Sequence, residues 1–133
     1  MKKIEHIGIA VKDLEKSNKL FASLFGKEHY KIEEVASEGV KTSFFKSGPN
    51  KIELLEATNP KSPIARFLEK KGEGIHHIAF AVDDIKSEIK RLQEEGFTVL
   101  NETPKKGADN KLVAFLHPKT TNGVLIELCQ EIE

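Results

Sequence analysis

An internal repeat is the feature of this sequence that most constrains its fold. Residues 4–14 (IEHIGIAVKDL) and 75–85 (IHHIAFAVDDI) are identical at six of eleven positions, at an offset of 71. Residues 51–56 (KIELLE) and 125–130 (LIELCQ) share three of six positions, at an offset of 74. Because both copies keep a histidine, an aspartate and a glutamate at matching places, we interpret the chain as a duplicated module.

Each copy opens with a strand pattern that is followed by a helix pattern. β-Branched and small residues alternate first, Asp13 or Asp84 then stands at the expected N-cap, and Gly26 or Gly96 ends the helix. Three further strands are predicted in each copy, at about 29–37, 40–47 and 50–56 and at about 97–101, 111–117 and 123–129. The predicted fold class is therefore α+β, with two tandem β-α-β-β-β modules forming a cupped mixed sheet.

Length and composition limit the organisation and the partners of the chain. The 133 residues predict a single domain, with module one at about 3–56, a connector at 57–74 carrying a short helix at 63–72, and module two at about 75–131. The 21 basic and 21 acidic residues balance, which argues against a nucleic-acid partner. The single cysteine excludes an intrachain disulfide framework. The absence of a long apolar run or a signal-peptide pattern argues against a membrane partner and favours a cytoplasmic location.

Alternation within the first strand of each copy predicts two different faces. One face is bulky and is expected to pack beneath the helix: Ile7, Ile9 and Val11, and Ile78, Phe80 and Val82. The other face carries a histidine followed by small residues: His6, Gly8 and Ala10, and His77, Ala79 and Ala81. We expect the small residues to leave room for a ligand beside the histidine.

The duplication supplies two histidine–glutamate pairs, His6 with Glu53 and His77 with Glu127. Two imidazoles and two carboxylates suit a divalent ion such as Co²⁺, Mn²⁺, Ni²⁺ or Zn²⁺. A lone strand histidine is usually structural and a strand glutamate usually solvated, but recurrence of both in both copies favours a metal site. Cys129 is expected to line the site as a small residue rather than to act as a nucleophile.

The repeated modules and their paired ligands resemble the vicinal oxygen chelate (glyoxalase) superfamily. Within it, the chain from Ile4 to Glu131 is similar to the methylmalonyl-CoA epimerase family. The segments that carry this similarity are HIGIAVKDL, EGVKTSFF, KIELLE, SPIARFLEKKGEGIHHIAFAVDDI and AFLHPKTTNGVLIEL. The resemblance implies an isomerase with an acyl-CoA substrate and a homodimeric assembly. The metal ligands that it implies are His6, Glu53, His77 and Glu127.

The resemblance further implies metal-dependent epimerisation of methylmalonyl-CoA, in which the α-proton is abstracted through a metal-stabilised enolate. Glu53 and Glu127 are the candidate catalytic acid/base residues. Three other polar residues are expected on loops or rims: Glu38, Thr42 and Asp109. Candidate contacts for the phosphates of CoA are His117 and Lys119 in the LHPK turn, with Lys105 and Lys106 nearby.

Three other functions compete with the epimerase. A glyoxalase I-like lactoylglutathione lyase resembles this fold, but typically has an arginine where this chain has Ala10 and a DPDG-type turn where it has HPKTTNG. An iron-dependent extradiol dioxygenase resembles longer chains whose ligands lie in one half. A non-catalytic small-molecule binding protein of the bleomycin-resistance type usually lacks the four ligands.

Overall fold

The computed structural model describes all 133 residues, which fall into two units. The first unit comprises residues 6–76, and the second unit comprises residues 1–5 and 77–133. None of the helices has the length and apolar character that a membrane-spanning segment needs.

The elements of the first unit in chain order are β1 (Lys3–Ala10, from His6 onward in this unit), α1 (Leu14–Phe25), β2 (Lys31–Val35), β3 (Val40–Ser47), β4 (Asn50–Ala57) and α2 (Pro63–Lys71). The strands form a mixed four-stranded sheet in the order β2-β3-β4-β1. β1 and β4 run parallel, whereas β3 is antiparallel to both β2 and β4. These elements confirm the predicted strand–helix–strand–strand–strand order and the connector helix.

The elements of the second unit are β5 (Gly74–Ala81, from His77 onward in this unit), α3 (Ile85–Glu94), β6 (Lys105–Gly107), β7 (Lys111–Leu116) and β8 (Ile126–Glu131). They repeat the arrangement of the first unit in the order β5-β8-β7-β6, again with a parallel pair, β5 and β8, and antiparallel neighbours. The α+β class with duplicated β-α-β-β-β modules is therefore confirmed.

Two predicted strands of the second unit were wrong in position. The strand predicted at 97–101 is reduced to an isolated bridge between Val99 and Leu116. The side chain of Asn101 accepts the N–H of Phe115 at 3.0 Å, so the backbone ladder stops there, and β6 forms farther along the chain. The strand predicted at 123–129 begins only at Ile126, because Asn122 and Gly123 turn the chain with positive φ.

Both helices that follow a repeat strand are capped as the aspartates predicted. Asp13 and Asp84 each accept the backbone N–H of the third helical residue at 3.1 Å. The first backbone N–H of each helix donates to a side chain of a strand. The N–H of Leu14 donates to Glu56 at 2.8 Å, and the N–H of Ile85 donates to Gln130 at 2.7 Å. Glu56 and Gln130 occupy matching positions in the repeat, so the duplication extends to this second cap.

The core of each unit lies between its helix and its sheet. In the first unit, α1 packs on residues that include Ile9 and Val11, as the alternation predicted. In the second unit, Val82 joins the buried core beneath α3, whereas Ile78 and Phe80 are only half-buried. The expected packing face is thus confirmed for Ile9, Val11 and Val82. Ile7, Ile78 and Phe80 are half-buried and are not among the residues of these two cores.

The expectation that Ala10 and Ala79 leave open space was wrong. Ala10 is fully buried against Leu55 and Ile64, so that α2 covers this part of the sheet. Ala79 is fully buried as well, against residues that include Cys129. At these positions a small side chain permits close packing of its neighbours instead of opening a cavity.

Gly39 and Gly48 provide a matched test of tight packing beside α2. Both have left-handed backbones, with φ of +63° and +62°. A Cβ at Gly39 would lie 2.6 Å from Asn59 Nδ2 and 2.8 Å from Ser62 Cβ, whereas a Cβ at Gly48 meets nothing within 4 Å. We expect Gly48→Ala to cost about 1–2 kcal/mol of unfolding free energy for its backbone conformation. Gly39→Ala should cost about 1–3 kcal/mol more, because Ser62 is the N-cap of α2.

Urea denaturation of the two glycine variants measures this difference directly. Equal losses at Gly39 and Gly48 would show that the turn before β3 has room for a methyl group, contrary to the packing described.

Candidate metal and acid/base site

The first histidine–glutamate pair lies on the two parallel strands of the first unit. Gly8 of β1 is the register partner of Glu53 of β4, which places the side chains of His6 and Glu53 on one face of the sheet. His6 Nδ1 lies 3.1 Å from Glu53 Oε2, and both residues are 5% exposed. The sequence correctly predicted the partners and their common face.

The second pair repeats this geometry in the second unit. Ala79 of β5 is the register partner of Glu127 of β8, and His77 Nε2 lies 2.9 Å from Glu127 Oε1. His77 and Glu127 are 5% and 6% exposed. The two pairs therefore match in strand, register and burial, although the imidazoles approach their carboxylates through different ring nitrogens.

Each glutamate lies between a histidine on one neighbouring strand and a phenylalanine on the other. Phe44 of β3 is the register partner of Glu53, and Phe115 of β7 is the register partner of Glu127. The ring of Phe115 meets the imidazole of His77 edge to face, with centroids 6.0 Å apart. Sequence reasoning missed these residues, although they stand at the same offset of 71 as the two histidines.

The donor atoms in each unit fit a divalent metal ion. Imidazole nitrogen and carboxylate oxygen are the ligands that Co²⁺, Mn²⁺, Ni²⁺ and Zn²⁺ share. Each pair is buried, and a buried carboxylate requires either an ion pair with good hydrogen bonds or a metal to offset its lost hydration. Each unit thus holds one histidine–glutamate pair whose side chains are suited to bind a divalent metal ion.

The predicted phosphate-binding residues lie on a turn and an edge strand of the second unit. His117 and Lys119 belong to a 3₁₀ turn at residues 118–120 and its N-cap, where His117 Nδ1 accepts the N–H of Lys119 at 3.0 Å. His117 is half-buried and Lys119 is exposed. Lys105 and Lys106 are exposed on β6.

The remaining residues named from the sequence have varied surroundings. Thr42, expected on a loop or rim, is instead buried within β3, because its side chain shares the face of Leu55 beneath α2. Glu38 lies in a 3₁₀ turn, and Asp109 lies in the turn before β7. Cys129, expected to line the site, is a buried thiol whose Sγ donates to the carbonyl of Phe80 at 3.6 Å and which packs against Ala79 and Val113.

Comparison with known proteins identifies the class to which this fold and its paired sites belong. A family model described as the glyoxalase/bleomycin resistance protein/dioxygenase superfamily matches residues 5–115. The chain belongs to this superfamily.

Relatives within the superfamily narrow the assignment. The chain is 43% identical to the ethylmalonyl-CoA/methylmalonyl-CoA epimerase of Cereibacter sphaeroides, over 96% of this chain and 97% of that protein. A solved variant of Streptomyces coelicolor methylmalonyl-CoA epimerase, in complex with 2-nitronate-propionyl-CoA, has a TM-score of 0.94 and 34% identity, covering 98% of this chain and 95% of that one. A methylmalonyl-CoA epimerase solved with methylmalonyl-CoA and NH₄⁺ matches with the same TM-score, identity and coverage. Within the superfamily, the chain is a member of the methylmalonyl-CoA epimerase family.

Proposed function

We propose that this chain epimerises methylmalonyl-CoA by removing the α-proton on one face of the carbon and returning a proton on the other. The observation that carries the proposal is the pair of buried glutamates, Glu53 and Glu127, each held against a histidine in matching register. Epimerisation requires a base and an acid on opposite faces, and a duplicated module supplies two equivalent carboxylates. Membership of the methylmalonyl-CoA epimerase family supports the choice of substrate.

We further propose that His6, Glu53, His77 and Glu127 together hold one divalent ion, of the Co²⁺, Mn²⁺, Ni²⁺ or Zn²⁺ type. Such an ion, when bound, supplies Lewis-acid polarisation of the thioester carbonyl, which makes the neighbouring α-proton more acidic. The chemistry and the burial of the four side chains support this assignment.

The two glutamates carry the proton transfers in this proposal. The α-carbon of methylmalonyl-CoA lies between a thioester and a carboxylate, so loss of its proton leaves charge that is delocalised as an enolate. One of Glu53 and Glu127 accepts this proton, and the other returns a proton to the opposite face. His6 and His77 orient the carboxylates through their contacts of 3.1 and 2.9 Å.

Three finer assignments complete the proposal. His117 and Lys119 contact a phosphate of the CoA arm, because both sit on one polar turn beside the start of β8. The active form is a homodimer, as the family resemblance implies. The location is the cytoplasm, where the buried thiol of Cys129 stays reduced.

Parallel assays on two substrates test the epimerase against its nearest rival. We expect the metal-loaded protein to epimerise methylmalonyl-CoA and to turn over the hemithioacetal of methylglyoxal and glutathione poorly or not at all. Ala10 supports this expectation, since an arginine there, as in the lyases, would have to displace Leu55 or Ile64. Efficient conversion of the hemithioacetal, with methylmalonyl-CoA unchanged, would show that the protein is a lyase and not an epimerase.

A further inference from the structure

Asn18 and Ser43 of the first unit each bury a polar atom that forms no hydrogen bond with the rest of the chain. Asn18 of α1 is 8% exposed, and Ser43 of β3 is fully buried. The two atoms are Asn18 Oδ1 and Ser43 Oγ. Buried polar atoms are nearly always satisfied by protein atoms or by ordered water. Since the chain supplies no partner, the two side chains indicate a site for a small polar ligand.

Both side chains project into the interface between α1 and the sheet. Ser43 is the register partner of Leu54, which belongs to the core beneath α1, so the two share one side of the sheet. Leu14 and Ala22, one turn before and one turn after Asn18, also belong to that core. Residues four apart in a helix lie on the same face, so Asn18 faces the sheet as they do.

The two ends of α1 show where Asn18 stands along β3. At the start of the helix, its first N–H donates to Glu56. At its end, the ring of Phe25 lies 5.5 Å from the ring of Phe45. The register position of Ser43 is midway between Glu56 and Phe45, and Asn18 is the fifth of the twelve residues of α1. Asn18 and Ser43 therefore stand at about the same level of the interface.

The chemistry of the two atoms suits a water molecule. An amide oxygen accepts hydrogen bonds, whereas a serine hydroxyl both donates and accepts. The hydroxyl of Ser43 does not donate directly to Asn18, so the two oxygens are not within hydrogen-bonding reach of each other. A water molecule between them can donate to Asn18 Oδ1 and exchange a second hydrogen bond with Ser43 Oγ. Buried waters characteristically satisfy polar groups of this kind.

We propose that the interface between α1 and β3 binds one buried water molecule, held by Asn18 Oδ1 and Ser43 Oγ. The water satisfies both side chains and links the helix to the strand through two hydrogen bonds. This site is separate from the proposed reaction. Ser43 and its neighbour Phe44, the register partner of Glu53, project to opposite sides of β3.

A double-mutant cycle with Asn18→Leu and Ser43→Ala tests the proposal through the unfolding equilibrium constant. Each single substitution removes one partner of the water and leaves the other buried and unpaired. Urea denaturation should show that each raises the constant about fivefold or more. The double variant removes both polar atoms, so its effect should be at least about fivefold smaller than the product of the single effects. The higher helix propensity of leucine cancels in this comparison.

Ser47→Ala is the matched control, because Ser47 lies on the same strand and face as Ser43 but is exposed. Its effect should combine with that of Asn18→Leu multiplicatively, within about twofold. If the two buried atoms were simply unsatisfied, Ser43→Ala would lower the unfolding constant instead of raising it. That result, or multiplicative effects of Asn18→Leu and Ser43→Ala, would overturn the proposal.

Crystal structures at a resolution that shows ordered water detect the ligand directly. The wild-type protein should hold one water within about 3.2 Å of both Asn18 Oδ1 and Ser43 Oγ. Ser43→Ala should lose this water, and Ser47→Ala should keep it. A direct hydrogen bond between Asn18 and Ser43, or a dry interface, would overturn the proposal. These outcomes are independent of bound metal and of epimerase activity, so they leave the proposed function untouched.

Discussion

Glu127→Ala is expected to abolish bound divalent metal and to lower epimerase turnover by about 100-fold or more. The substitution removes a buried carboxylate that contacts His77 at 2.9 Å and that we propose to be both a metal ligand and an acid/base group. His77→Ala should have the same effect on the metal, because it removes a nitrogen ligand. Elemental analysis of the purified protein measures the metal, and a coupled epimerase assay measures turnover.

Glu131→Gln is the matched control for Glu127→Ala, since Glu131 lies on the same strand with an 85% exposed side chain. It should keep both the metal and full activity. Near-ultraviolet circular dichroism checks that Glu127→Ala is folded. A well-folded Glu127→Ala protein with its full metal content and turnover would show that the ligand assignment is wrong.

Phe45→Ala is expected to produce the largest loss of stability in the first unit, about 3–5 kcal/mol of unfolding free energy. Phe45 is fully buried, and its ring lies 5.5 Å from Phe25 and 6.5 Å from Phe21 of α1. Truncation removes the contact between sheet and helix and leaves a cavity. Urea denaturation followed by far-ultraviolet circular dichroism measures the change.

Leu24→Ala supplies the comparison, because Leu24 is on α1 but is 69% exposed. Its cost should stay within about 0.5 kcal/mol. Similar losses at Phe45 and Leu24 would mean that α1 packs on the sheet by a different face from the one described.

The sequence predicted the parts of the site that local rules and the duplication determine. Asp13 and Asp84 cap their helices through residues only three positions away, so the pattern is visible without tertiary structure. His6 and Glu53 are far apart in sequence, yet their recurrence as His77 and Glu127 made their pairing predictable. Each of these pairs is in contact within its own unit.

The features that were not predicted depend on side chains brought together by folding. Asn101 ends a strand ladder by taking the N–H of Phe115, which no propensity for residues 97–101 encodes. The space predicted beside Ala10 is filled by α2, whose position over the sheet is a tertiary property that the sequence pattern of β1 does not indicate. The contact of the Lys31 ammonium group with the ring of Phe44 depends on the register between β2 and β3, which the sequence around Lys31 does not indicate.

Proton exchange between methylmalonyl-CoA and solvent is the most direct test of the central claim that this chain is an epimerase. A single C2 epimer is incubated in D₂O with metal-loaded protein, with EDTA-treated protein as the control, and the α-proton is followed by NMR. We expect the loaded protein to replace the α-proton by deuterium and to equilibrate the two C2 epimers, whereas the EDTA-treated protein should do neither. A folded, metal-loaded protein that leaves both the α-proton and the configuration unchanged would contradict the claim.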